Sequence, residues 1–147
     1  MSTVAAPPDV GPLITALEDR ILGRRHSLGA AWYRRLVEMG AGGGPVTMES
    51  AADELGMAPR TLSRHLAIAG YPSPRRAIDW GRLLAAMELY RDPDVSLAVA
   101  AHALGADQST LSVQFERLTD IQAGQWKRDG ADMGQLLDAM IVTWRVS

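Results

Sequence analysis

Residues 46–69, VTMESAADELGMAPRTLSRHLAIA, decide the fold of this chain because they are repeated 49 residues later. The second copy is VSLAVAAHALGADQSTLSVQFERL at residues 95–118, and it is identical to the first at eight of 24 aligned positions. Gly56 and Gly105 form one of the identical pairs. An internal repeat of this kind indicates that each copy is one structural unit.

Each copy has the pattern of two helices joined by a tight turn. Thr47 and Ser96 are residue types that cap helix N-termini, and Gly56 and Gly105 supply the positive φ that a sharp turn requires. Two helices joined by a short turn with glycine are typical of a helix-turn-helix unit, whose second helix enters the major groove of DNA. No segment has the pattern of a strand. The sequence therefore predicts an all-α fold, with two helix-turn-helix subdomains joined by a long linker helix.

Further helices are predicted at both ends of the chain. The predicted segments are a flexible leader at 1–11, an N-terminal helix at 12–26, a first helix-turn-helix subdomain at 27–72, a linker helix at 73–92, a second subdomain at 93–128 and a C-terminal amphipathic helix at 129–147. The glycine run at 40–45 is interpreted as a loop. From Pro74 to Arg91 the linker helix is about 27 Å long at 1.5 Å per residue, close to the spacing of about 34 Å between adjacent major-groove turns.

The second helix of the first copy has a face suited to DNA. With Leu62 turned inward at about 100° per residue, Arg60 and Arg64 point outward and Thr61 and Ser63 flank them. Arginine binds guanine through two hydrogen bonds, and hydroxyl groups suit bases or phosphates. We therefore predict that these four residues contact DNA and that this helix, residues 59–69, carries the main readout.

The matching face of the second copy is less suited to DNA. Val113 takes the place of Arg64, and Glu116 faces outward where phosphates would lie. The polar residues that remain as predicted DNA contacts in this copy are Ser109, Thr110, Gln114 and Arg117.

Charge is distributed unevenly along the chain. The whole chain has a formal charge of −2, which argues against a nucleic-acid binder because such domains are usually strongly basic. Residues 60–91, however, hold six Lys or Arg against two Asp or Glu, whereas residues 92–120 hold one against five. Arg75, Arg76 and Arg82 in the linker helix are expected to meet the DNA backbone. The basic half is therefore predicted to bind DNA, and the acidic half is open to a protein partner.

Several segments resemble the DNA-binding half of the AraC/XylS family of bacterial transcription regulators. These are AADELGMAPRTLSRHL, GYPSPRRAIDWGRLLAAMELYRD, VSLAVAAHALG and LTDIQAGQWK, and the resemblance covers about residues 27–128. It implies a sequence-specific, double-stranded DNA-binding regulator that reads bases near Arg60, Thr61 and Arg64 and recruits or blocks RNA polymerase. Asp120 and Ala123 depart from the family's Gly and Pro. Too few residues precede the match for the effector domain that most members carry.

Other classes of function have little support in the sequence. The absence of cysteine excludes disulfides and thiolate catalysis. His26, His65 and His102 are too far apart in sequence to form a helix-borne metal-ligand pair. We predict neither an enzyme nor a cofactor. No apolar run approaches the roughly 20 residues of a membrane span, so we expect no membrane association and a cytoplasmic location.

The C-terminal helix leaves two interpretations open. Its apolar residues recur at helical spacing; they are Met133, Leu136, Leu137, Met140, Ile141 and Trp144. The stripe either packs back on the domain or forms a homodimer or partner surface. The alternative function is accordingly a protein-interaction module, in which a degenerate double helix-turn-helix binds another regulator or RNA polymerase, or binds DNA only within a larger complex.

Overall fold

A computed structural model of the chain describes residues 8–22 and 28–146. All regular structure in these ranges is α-helical, as the sequence predicts. The helices are α1 (Gly11–Leu22), α2 (Leu28–Ala41), α3 (Met48–Glu54), α4 (Pro59–Ala69), α5 (Pro74–Tyr90), α6 (Leu97–Ala103), α7 (Gln108–Thr119), α8 (Ala123–Arg128) and α9 (Met133–Val146).

The N-terminal predictions are partly corrected. Val10 is buried and α1 begins at Gly11, so the end of the predicted leader at 1–11 is packed against the molecule. The rest of that leader, residues 1–7, lies outside the described residues. The helix predicted at 12–26 is observed as far as Leu22, and residues 23–26 also lie outside the described part of the chain.

The linker helix α5 is the centre of the molecule. Twelve of its 17 residues are buried, because α2 and α4 pack on it from one subdomain and α6 and α7 from the other. Two glycines let α2 and α5 cross at very close range. A Cβ atom added to Gly40 would lie 1.9 Å from the Ile78 carbonyl oxygen, and one added to Gly81 would lie 1.9 Å from that of Val37. Both subdomains thus share one core.

The two repeat copies fold as two helix-turn-helix units. Four residues separate α3 from α4, and four separate α6 from α7. Gly56 and Gly105 have φ values of +76° and +74°, so the predicted left-handed turns are confirmed. Thr47 and Ser96 cap α3 and α6 through their side chains, as their residue types predict.

The loop predicted at 40–45 is partly corrected, because Gly40 and Ala41 are the last residues of α2. The loop itself begins at Gly42 and contacts both units. The Arg82 guanidinium donates a hydrogen bond to the Gly44 carbonyl oxygen at 2.8 Å, and the Gly44 amide donates to the Leu104 carbonyl oxygen at 3.3 Å. The loop therefore lies between α5 and the turn of the second unit. Arg82, expected at the DNA backbone, is instead bonded to this loop.

A short helix, α8, follows the second unit and was not predicted as a separate element. Trp126 anchors it: the ring is buried among Tyr90 and Phe115, and its indole N–H donates to the Asp132 carbonyl oxygen at 2.9 Å. Lys127 lies over the Tyr90 ring, 4.2 Å from its centroid. Six residues are too few for a helical period to stand out in a sequence.

The C-terminal helix α9 packs back on the domain. Leu136, Leu137, Met140 and Ile141 are buried, and α9 contacts α1 and α7. The ring of Trp144 meets Trp80 edge-on, with centroids 5.9 Å apart. The structure therefore supports the interpretation in which the stripe packs on the domain, with four of its six residues buried and Met133 and Trp144 half-buried, and it offers no support for a homodimer surface there.

The packing of α9 on α1 is reinforced by polar contacts. Arg20 of α1 forms an ion pair with Asp138 of α9 at 2.6 Å. The Arg145 guanidinium donates to the carbonyl oxygens of Arg20 and Ile21. The two terminal helices thus close one side of the molecule together.

Candidate nucleic-acid interface

Helix α4 is held in place by α3 and by its own apolar face. The N-terminus of α3 is fixed by a capping box, in which the Ser50 amide donates to the Thr47 hydroxyl at 3.0 Å and the Thr47 amide donates to the Ser50 hydroxyl at 3.2 Å. Leu62 and Leu66 of α4 are completely buried. The turn between the helices therefore presents the opposite face of α4 to solvent.

The outward face of α4 carries cations that the described part of the chain does not neutralise. Arg60 and Arg64 are exposed, and Thr61 and Ser63 are half-buried on either side of them. Neither arginine forms an ion pair within residues 8–22 and 28–146. These four predicted contact residues therefore lie together on one surface.

Ile68 lies on the same outward face of α4, although it is not among the DNA contacts predicted from the sequence. It is 77% exposed and lies four residues after Arg64, which is one helical turn further on. This four-residue spacing from Arg64 is the feature of the sequence that could have identified Ile68. An exposed aliphatic side chain beside two arginines suits contact with a thymine methyl group next to guanines.

The N-termini of α4 and α7 differ in their electrostatics. Helix α4 begins with Ala58 as its cap residue and Pro59 next, and no side chain caps it. The first-turn amides of Arg60 and Thr61 are thus left for an external acceptor, and a helix N-terminus favours an anion such as phosphate.

Helix α7 already has an anion at its N-terminus. The Asp107 carboxylate accepts hydrogen bonds from the Thr110 amide at 2.8 Å, the Ser109 hydroxyl at 2.7 Å and the Thr110 hydroxyl at 3.1 Å. The Thr110 amide and the two hydroxyls hold the pKa of Asp107 below its usual value. The carboxylate is therefore charged at neutral pH and repels a phosphate, while both predicted contact hydroxyls donate to it.

Two other predicted contact residues gather around a buried carboxylate. Arg117 of α7 forms an ion pair with the buried Asp79 of α5 at 3.5 Å. Arg76 is half-buried beside them, and burial, together with Arg117, lowers the pKa of Arg76 while Asp79 raises it. The Arg117–Asp79 pair thus joins α7 to α5, a role that the sequence did not reveal because the two residues lie 38 positions apart.

The remaining predicted contacts are Arg75 and Gln114. Arg75 is exposed at the start of α5. Gln114 is half-buried and lines a shallow hollow on α7 together with Ser109, Thr110 and Val113. The first unit therefore offers exposed cations, whereas the second offers polar groups that are largely engaged within the chain.

The part of the chain that the structure describes contains neither a candidate metal site nor a candidate membrane-spanning helix. No three His, Asp or Glu side chains there are grouped as the ligands of a metal ion would be. No helix among the described residues is both long enough and apolar enough to cross a membrane.

Comparison with known proteins identifies the double unit. A protein-family model described as a helix-turn-helix domain, of the AraC type, matches residues 51–129, just over half of the chain. The matched region runs from the middle of α3 to the residue after α8. None of the curated proteins compared with the chain matches it. The same is true of the solved structures.

Proposed function

The chain belongs to the AraC-type helix-turn-helix family of DNA-binding domains, and from this premise we propose that it is a sequence-specific transcription regulator whose main readout is by α4. The family is one of DNA-binding domains rather than of enzymes, and the proposed mechanism is non-covalent binding to double-stranded DNA without a cofactor.

The observation that carries this proposal is the difference between the two helix N-termini. Helix α4 has no side-chain cap and presents Arg60 and Arg64 without an ion-pair partner in the described ranges. Helix α7 has the Asp107 carboxylate at the same place. Because the phosphate backbone dominates DNA affinity, the first unit is the stronger candidate.

The proposed binding mode follows from the positions of these residues. With α4 in the major groove, its first-turn amides donate hydrogen bonds to a phosphate while Arg60 and Arg64 reach base edges. Thr61 and Ser63 lie at the groove walls, and Arg75 at the exposed start of α5 binds the backbone. Bound near a promoter, the chain recruits or blocks RNA polymerase, as the family resemblance implies.

The test is selection of a binding site from random duplex DNA, followed by titration of the selected site with variants of the chain. Arg60→Ala and Arg64→Ala each should weaken specific binding by about 1–3 kcal/mol and relax the preference at one base pair. Arg128→Ala is the matched control, because Arg128 is an exposed arginine in α8 outside both reading helices. It should leave affinity unchanged.

Two results would count against the proposal. Equal losses for Arg128→Ala and Arg64→Ala would mean that binding is only a general electrostatic attraction. Failure to enrich any sequence, together with binding that does not respond to salt, would favour the alternative of a protein-interaction module or of DNA binding only within a larger complex.

A further inference from the structure

A groove runs between α7 and α9 beside the second helix-turn-helix unit. Its volume is about 820 Å³. Its walls are the outward side of α7, including Val113 and Glu116, and one edge of α9, including Val142 and Val146. Neither the DNA-binding face of α4 nor the buried stripe of α9 takes part in it.

The walls of this groove are mainly apolar. Val113, Val142 and Val146 are 68%, 61% and 80% exposed, and Ala139 and Ile121 lie between them. Single exposed aliphatic residues need no explanation, but a contiguous apolar patch rimmed by polar groups is typical of a binding site. Helix α9 thus has two apolar edges, one covered by α1 and α7 and one open.

The rim of the groove is acidic. It holds Glu116, Asp120 and Asp138 against one cation, Arg117. Arg117 is paired with buried Asp79, and Asp138 with Arg20. Glu116 and Asp120 form no ion pair within the described ranges, so their charges face the groove.

Asp120 stands at a position that disfavours it on structural grounds. It caps the C-terminus of α7 in the left-handed region, with φ of +60°, where glycine is the residue of least strain. A negative charge at a helix C-terminus also opposes the helix dipole. Local strain of this kind is often retained where a side chain has a function.

We propose that this groove binds an amphipathic helix of a partner protein, with an apolar stripe flanked by Lys or Arg. An apolar channel between two helices accepts the apolar face of a third helix, and the acidic rim selects basic flanks by charge complementarity. DNA fits less well, because phosphates would meet Glu116, Asp120 and the Asp107 carboxylate. The proposal does not depend on base readout by α4.

The probe for this test is a fluorescein-labelled peptide of leucine and lysine with helical periodicity, about 18 residues or five turns long. Its fluorescence anisotropy is followed on titration with the full chain. A peptide of the same composition in scrambled order controls for simple charge attraction, and it should bind at least about tenfold more weakly.

Two valines provide a matched pair of variants. Val142→Asp places a charge on the apolar wall of the groove. Val99→Asp makes the same change at a 58% exposed valine of α6 that does not line the groove. The first should weaken peptide binding about tenfold or more, and the second should not change it. Far-ultraviolet circular dichroism of both variants establishes that the helices are retained.

A charge exchange tests the rim separately. The double variant Glu116→Lys, Asp120→Lys should bind the leucine–lysine peptide more weakly and a leucine–glutamate peptide more tightly than the original chain does. The proposal is overturned if Val142→Asp and Val99→Asp bind the peptide equally, or if the scrambled peptide binds as well as the periodic one. Weaker binding of short duplex DNA to Val142→Asp, with Val99→Asp unchanged, would also overturn it, since the groove would then be a DNA surface.

Discussion

Gly81 is the residue at which a single methyl group should matter most. Its α-carbon lies so close to α2 that an added Cβ would be 1.9 Å from the Val37 carbonyl oxygen, and backbone cannot move aside as a flexible side chain can. Gly81→Ala should therefore lower the free energy of unfolding by about 3 kcal/mol or more, the upper end of the range for overpacked cores. Urea unfolding followed by tryptophan fluorescence measures the change.

The control is a glycine-to-alanine change in a helix with open surroundings. At Gly124 the nearest atom to an added Cβ is the end of the flexible Arg128 side chain, at 3.3 Å. Gly124→Ala should be neutral or slightly stabilising, because alanine favours helices. If Gly81→Ala were equally neutral, α2 and α5 would have to cross less closely than described.

At the residue scale, sequence reasoning succeeded where the cause is local. Thr47 and Ser96 cap the helices that directly follow them, so their role depends only on neighbouring residues. Gly81 and Arg117 could not be interpreted in this way. Their functions depend on Val37 and Asp79, which come close only after the helices have packed.

Helix α9 shows the same limit at the scale of an element. Its period of apolar residues correctly predicts a helix, but a period does not reveal what covers the stripe. The covering helix α1 lies more than 100 residues earlier in the chain. The short helix α8 and the open edge of α9 were missed because neither produces a long periodic pattern.

Substitutions on the buried and on the exposed edge of α9 should affect stability to very different degrees. Met140 is completely buried, so Met140→Ala should lower the free energy of unfolding by about 2–5 kcal/mol. Val142, two residues later in α9, is exposed. Val142→Ala should therefore change the free energy of unfolding by less than about 0.5 kcal/mol. Thermal or urea unfolding of both variants provides the measurement.

The same pair distinguishes a core from an oligomer surface. If Met140 lay at a dimer interface, Met140→Ala would lower the molecular mass in sedimentation while each chain remained folded. The described packing requires instead that the midpoint of unfolding falls while the molecular mass stays unchanged. Equal stability of the two variants would contradict the burial of the stripe.

At the scale of the whole molecule, the separation of charge is what the sequence predicts best. The basic segment 60–91 includes α4 and α5, and the acidic segment 92–120 includes α6 and α7. The structure shows in addition which of these charged side chains are bonded inside the chain and which are exposed. Within residues 60–91, Arg82 is hydrogen-bonded to Gly44, Arg76 is half-buried and Arg91 pairs with Glu88. The exposed arginines of this segment without an ion pair among the described residues are therefore Arg60, Arg64 and Arg75.

This distribution predicts how steeply DNA affinity falls with salt. Each neutralised phosphate contributes about −0.9 to the slope of log K against log salt concentration. Even if all three arginines neutralise phosphates, including the two at base edges, the slope on the selected DNA site should be no steeper than about −3. Arg75→Ala should make the slope shallower by about 1 and weaken binding to all sequences alike, whereas Arg128→Ala should leave it unchanged. Titration from about 50 to 200 mM salt covers the range in which the effect is large. A slope of about −6 or steeper would require phosphate contacts from the acidic half, and the assignment of DNA binding to the first unit alone would then be wrong.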